Sequence, residues 1–84
     1  MQDFLVEVYQ PQSSRAEYRD AVKRLRAAAK ALTKEGTPVS YRRSMFLPGD
    51  ETCFHLLEAG SRGTAAEAAR RASIKAARVV EALQ

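Results

Sequence analysis

The residues from Val39 to Glu58, VSYRRSMFLPGDETCFHLLE, restrict the possible folds more than any other stretch. Two β-rich runs, one ending at Leu47 and one starting at Glu51, flank Pro48-Gly49-Asp50. Proline presets one turn dihedral, glycine accepts left-handed ones, and aspartate bonds its own backbone, so this tripeptide predicts a hairpin. A three-residue loop pairs Leu47 with Glu51, Met45 with Cys53 and Arg43 with His55. That register sets the sole cysteine and the sole histidine on one strand face, since alternate residues of a strand share a side.

The flanking segments supply the partners of the hairpin. Asp3–Tyr9 is β-branched and aromatic and ends before Pro11. Phe4, Val6 and Val8 predict a core side, whereas Leu5, Glu7 and Tyr9 predict a mixed side on which Glu7 is a solvated charge. A helix follows, opened by Ser14 and Glu17 at capping-box spacing and stopped at Gly36. Its apolar stripe is Tyr18, Ala21, Val22, Leu25, Ala28, Ala29 and Leu32. The other side carries Arg15, Arg19, Lys23, Arg26, Lys30 and Lys34, a basic line of the kind expected on a wet helix face. Beyond the hairpin, Thr64 and Glu67 suggest a second capping box for an alanine-faced helix through Ala72. Arg78–Leu83 predicts a last strand.

Strand, helix, strand, strand, helix, strand is the order of the ferredoxin-like split βαβ fold. The expectation is an α+β sandwich over residues 1–84 as a single domain. It has a four-stranded antiparallel sheet with two helices on one face, because crossovers are right-handed. The first and third strands are central, between the fourth and the second. The other sheet face then stays uncovered although it carries Leu5, Tyr9 and hairpin residues. Burial of that face against a second copy makes a homodimer, a dimeric α+β barrel, the expected assembly.

Composition narrows the function classes. A chain of 84 residues with 45% hydrophobic and 29% charged residues is that of a folded globular protein. One cysteine allows no internal disulfide and suits a reducing, cytoplasmic setting. No apolar run approaches the about 18 residues of a membrane span, and no leader is expected. The net charge of +4 suits an anionic ligand. Nucleic acid is not expected as a partner, because neither ETCFHLLE nor FLVEVY carries the aromatic signatures with which RNA-recognition domains stack bases. There is no glycine-rich phosphate loop.

Three segments carry a family resemblance: FLVEVY, EGTPVSYRRSMFLPGDETCFHLLEA and AARRASIKAARVVEA. They resemble the short bacterial domain-of-unknown-function family labelled nickel-binding protein, most specifically in the S-x-F-x-P-x-D-E-T-C-F pattern of Ser44–Ala59. The resemblance implies a ferredoxin-like fold, assembly as a dimeric α+β barrel, and nickel binding in some members. This chain departs from the family pattern in its single histidine, and in having Ser73 and Lys75 where relatives tend to have glycine and proline.

Two sets of candidate residues follow. For a metal such as nickel, Cys53 and His55 reach one ion from the same strand face and Glu7 approaches from the neighbouring strand. For a small anionic or polar ligand, Glu7, Arg43 and His55 converge on the concave side of the sheet, with Tyr9 or Tyr41 donating a hydrogen bond. A cofactor-free isomerase or oxygenase of the same barrel class would use His55 as its base. No serine or cysteine nucleophile is expected beside a base with an orienting third group, so acyl transfer is not indicated. The hairpin is apolar on both sides, however. If Cys53 and His55 lie under the helices, they are packing residues.

Overall fold

In a computed structural model describing residues 1–84, strand β1 (Gln2–Tyr9) leads into helix α1 (Arg15–Lys34). Strand β2 (Val39–Leu47), a short 3-10 turn (Pro48–Asp50) and strand β3 (Thr52–Ala59) form the hairpin. Helix α2 (Arg62–Arg71) and strand β4 (Arg78–Ala82) complete the chain. The sheet is antiparallel in the order β2-β3-β1-β4, with both helices on one side, so the fold is α+β and ferredoxin-like as the element order predicts. No helix is long and apolar enough to cross a membrane.

The core lies between the sheet and the helices. Phe4, Val6 and Val8 of β1 and Cys53, Leu57 and Ala59 of β3 point into it, and Leu25 and Leu32 of α1 meet them from above. Buried alanines, Ala28 and Ala29 in α1 and Ala65, Ala68 and Ala69 in α2, let the helix backbones lie close to the sheet and to each other. Full burial of a side chain such as Val6 or Leu25 contributes about 1.5–3 kcal/mol. Arg24 extends across the seam, its Nε donating to the Ala72 carbonyl at 2.7 Å.

Both helices stop by the same device. At the end of α1 the Thr37 amide donates to the Leu32 carbonyl and the Gly36 amide to that of Thr33, with Gly36 at φ 99°. At the end of α2 the Ile74 amide donates to Ala69 and the Ser73 amide to Arg70. This is a Schellman stop in each case, but the left-handed position of the second is occupied by Ser73, at φ 57°. A Cβ in that conformation costs about 1–2 kcal/mol. Ser73→Gly is therefore expected to raise stability by about 1 kcal/mol, measured as a higher urea midpoint with an unchanged slope. An unchanged or lower midpoint would show that Ser73 carries no strain.

The helix starts differ from the expected capping boxes. Ser14 is the N-cap of α1, but its side chain caps no amide. Its hydroxyl donates to the Pro11 carbonyl at 2.6 Å and accepts from Gln10 Nε2 at 2.7 Å. Helix α2 begins earlier than Thr64. Its N-cap is Ser61, whose side chain accepts from the Thr64 amide, and Glu67 is engaged by Arg70 and Arg71 instead of reaching back.

The hairpin register also differs, with consequences for the site. Glu51 adopts a left-handed conformation, φ 50°, and joins the loop, so Leu47 pairs with Thr52, Met45 with Phe54 and Ser44 with His55. A shift of one residue reverses every side chain near the turn. A bulge between Tyr41 and Arg43 absorbs the extra residue, and Tyr41 pairs with Leu57. Val39 and Tyr41 therefore share the helix side with Cys53 and His55 as expected, but Met45 and Leu47 do not.

Candidate functional site

A line of linked polar side chains within the helix-covered layer begins at β3. Cys53 and His55 point toward the helices, with exposures of 0% and 1%. The imidazole Nδ1 lies 2.6 Å from Ser44 Oγ, which lies 2.6 Å from the Tyr41 hydroxyl. On the other side of the ring, Nε2 lies 3.2 Å from Cys53 Sγ. Tyr18 stacks nearly parallel to the imidazole at 6.3 Å and against Phe46 at 5.2 Å. The Arg26 guanidinium sits 4.8 Å over the Tyr41 ring, a cation–π contact at the outer end of the line.

Burial fixes the protonation of this line. It pushes the His55 pKa down to about 4 and the Cys53 thiol up to about 11. At neutral pH the imidazole is uncharged and the thiol protonated. Two hydrogen arrangements then satisfy the links. In one, Tyr41 donates to Ser44, Ser44 to Nδ1, and Nε2–H to sulfur. In the other, the thiol donates to Nε2, Nδ1–H to Ser44, and Ser44 to Tyr41. No buried side-chain nitrogen or oxygen is left without a partner.

Sequence reasoning missed Ser44. Serine, histidine and cysteine stand in line here, but the third group is a protonated thiol and no activated nucleophile results, in keeping with the expectation that acyl transfer is not indicated. The signal was the cross-strand pairing of Ser44 with His55, hidden by the three-residue loop. Chemically the set is weak. An imidazole held at about 4 is a poor base at neutral pH, and almost none of its surface is open.

The opposite face of the sheet holds a different group. Leu5, Glu7, Arg43, Met45, Phe54 and Leu56 point away from the helices. Glu7 accepts from Arg78 Nε on the neighbouring strand at 2.7 Å, which is the exposed-face charge expected of it, now paired. A hollow of about 280 Å³ is bounded by Leu5, Arg43, Phe54, Leu56 and Leu83. Arg43 is in no ion pair.

The expected convergence of Glu7, Arg43 and His55 does not occur. Glu7 and Arg43 lie on the open face, while Tyr41, Cys53 and His55 lie under the helices. Tyr9 ends β1 and borders, together with His55, a hollow of about 310 Å³ that also includes Glu17, Arg24 and Lys75. The metal set fails on the same geometry. Cys53 and His55 bond each other, Glu7 is across the sheet with Arg78, and no group of three or more His, Cys, Asp or Glu side chains could hold an ion. The residues of one chain thus do not fit a resident nickel ion, which needs more donors than this pair supplies.

No family model matches this chain, and no curated protein is significantly similar to it. Among solved structures, it is similar to the crystal structure of SCO4226 from Streptomyces coelicolor A3(2). The TM-score is 0.75 at 19% identity, covering 98% of this chain and 96% of that one. At that identity the likeness supports the fold alone.

Proposed function

We propose that this chain is a small-ligand-binding domain that works as a homodimer joined through its open sheet faces. The observation that carries this reading is the placement of exposed apolar side chains. Of the four large hydrophobics left exposed, Tyr9, Met45 and Leu83, at 65%, 54% and 90%, border the open face. Four strands at about 4.8 Å spacing and about 3.4 Å rise per residue make a face of about 19 by 27 Å. A stable interface takes about 800 Å² from each partner. The whole face, with its side-chain relief, is needed to supply it. A two-fold dimer stacked face to face uses one patch twice.

The hollow at Arg43 becomes a closed pocket in such a dimer. Its floor of Leu5, Phe54 and Leu56 suits an apolar body, and Arg43 supplies a cation without an ion-pair partner. The fitting ligand is a small amphiphilic anion, such as an aromatic carboxylate. Sheet stacking adds nothing to the helix-covered side, so it brings no further donors to Cys53 and His55. Fluorescence titration with 2-naphthoate tests the pocket. Arg43→Ala is expected to weaken binding about tenfold, by loss of a charge-assisted bond, and to leave binding of the uncharged 2-acetylnaphthalene unchanged. Equal naphthoate affinity in both proteins would remove Arg43 from the site.

A further inference from the structure

A second surface lies along the opposite edge of the layered structure, between α1 and β2. Strand β2 is an outer strand of the sheet, so its far side presents unpaired backbone groups. Above it runs the basic line of α1. Arg15, Arg19, Lys23, Arg26, Lys30 and Lys34 form no ion pair with any acid. Two hollows, of about 680 and about 690 Å³, follow this seam and meet at Arg26 and Tyr41. Their walls include Ser40 and Tyr41 in one, and Tyr41, Arg42, Arg43 and Ser44 in the other. Residues from both faces of β2 therefore line them, which places the hollows along the strand edge.

The edge already shows how it takes a partner. Thr33 Oγ1 donates to the Val39 carbonyl at 2.9 Å and accepts from the Val39 amide at 3.0 Å. One side chain thus does what the backbone of a neighbouring strand would do, and it closes only the first position. In an antiparallel ladder alternate residues face outward, which leaves the edge open from Tyr41 onward.

We infer that the β2 edge under the basic row of α1 is the docking site for an extended acidic peptide segment of a partner protein. Strand addition supplies the backbone hydrogen bonds, and acidic side chains at alternate positions meet the α1 row. The spacings agree. Cations three or four residues apart on a helix are separated by about 4.5–6 Å along its axis, and alternate strand residues by about 6.8 Å. Charge selects the partner: eight of the fourteen Lys and Arg residues lie on this seam, Arg43 and the Glu58-paired Arg42 included, although the chain nets only +4. A second copy of β2 would bring the unpaired α1 row and Arg43 against their own kind, which disfavours edge-to-edge pairing of this chain with itself. Single-stranded nucleic acid fits less well, because it needs free aromatic faces on which bases stack. Here the Tyr41 ring is covered by Arg26, and Tyr18 lies against Phe46 and His55.

The test uses the full chain and two labelled probes, a ten-residue peptide alternating Asp and Val and a ten-nucleotide oligothymidylate, measured by fluorescence anisotropy. The peptide is expected to bind, to weaken as salt rises from about 50 to about 300 mM, and to lose about tenfold or more in affinity to the Arg19→Glu, Lys23→Glu, Arg26→Glu variant. Its binding is also expected to slow hydrogen exchange at β2 amides. Peptide binding without slowed β2 exchange overturns strand addition, and oligothymidylate binding tighter than the peptide, or no peptide binding at all, overturns the acidic-peptide site.

Discussion

Acidification from pH 7 to about pH 4 is expected to remove about 3 kcal/mol of folding stability through His55 alone. In the unfolded chain this imidazole takes a proton near its ordinary value of 6.5, but in the folded protein burial holds it off until about 4. Between those values the unfolded state binds more protons, so stability rises with pH there and falls as pH drops. Below about 4 both states are protonated and His55 adds no further loss. The chain has one histidine, which makes the window easy to isolate. The carboxyls of Glu35 and Glu67, held low by their arginine partners, are lost mainly below this window. Cys53 acts at the alkaline end with the opposite sign. Its folded pKa is raised from 9.0 to about 11, so stability is full below 9.0 and declines as pH rises toward about 11. Urea unfolding across this range is expected to give a plateau from about pH 6.5 to 9, and His55→Gln is expected to flatten the acid limb. An equally steep limb in His55→Gln would assign the acid sensitivity elsewhere.

Leu57→Ala is expected to cost about 2–5 kcal/mol, a large share of the total for a domain of this size. Leu57 is fully buried in the core between Cys53 and Ala59, and its removal leaves a cavity that helices pinned by alanine contacts do not collapse to fill. Its neighbour Leu56 provides the internal contrast. It is buried too, but lies outside the core cluster, on the face without helices. Leu56→Ala is expected to destabilise to a degree that depends on protein concentration, whereas the cost at Leu57 stays constant. Chemical unfolding of both variants at two protein concentrations separates them. Equal concentration dependence in the two would contradict the assignment of faces.

Much of the architecture was legible in the sequence because it depends on periodicity. The alternation in Phe4–Val8 and the helical stripe from Ala21 to Leu32 identify their own buried sides. The element order then fixed the neighbours of each strand. What was not legible turned on single residues. Glutamate carries no sign of a left-handed conformation, yet Glu51 adopts one and lengthens the loop by a residue. That shift moved Arg43 away from His55 and put Ser44 there. The compensating bulge at Arg42 has no glycine to announce it. The Ser14 hydroxyl was similarly misread, because a side chain that can cap a helix can also bond a nearby carbonyl such as that of Pro11. Glu7 was placed on the correct face, but its partner Arg78 is far away in sequence and follows only from the β1–β4 register.

The proposed function rests on the open sheet face meeting a second copy, and sedimentation equilibrium tests this most directly. At concentrations of about 10 μM the wild-type protein is expected to sediment at twice the 9.3 kDa chain mass. Met45→Asp, which places a charge on that face at a side chain 54% exposed in the single chain, is expected to sediment at the single-chain mass with an unchanged far-ultraviolet circular dichroism spectrum. A wild-type protein that remains at 9.3 kDa, or a Met45→Asp variant that remains dimeric, would contradict dimerisation through this face.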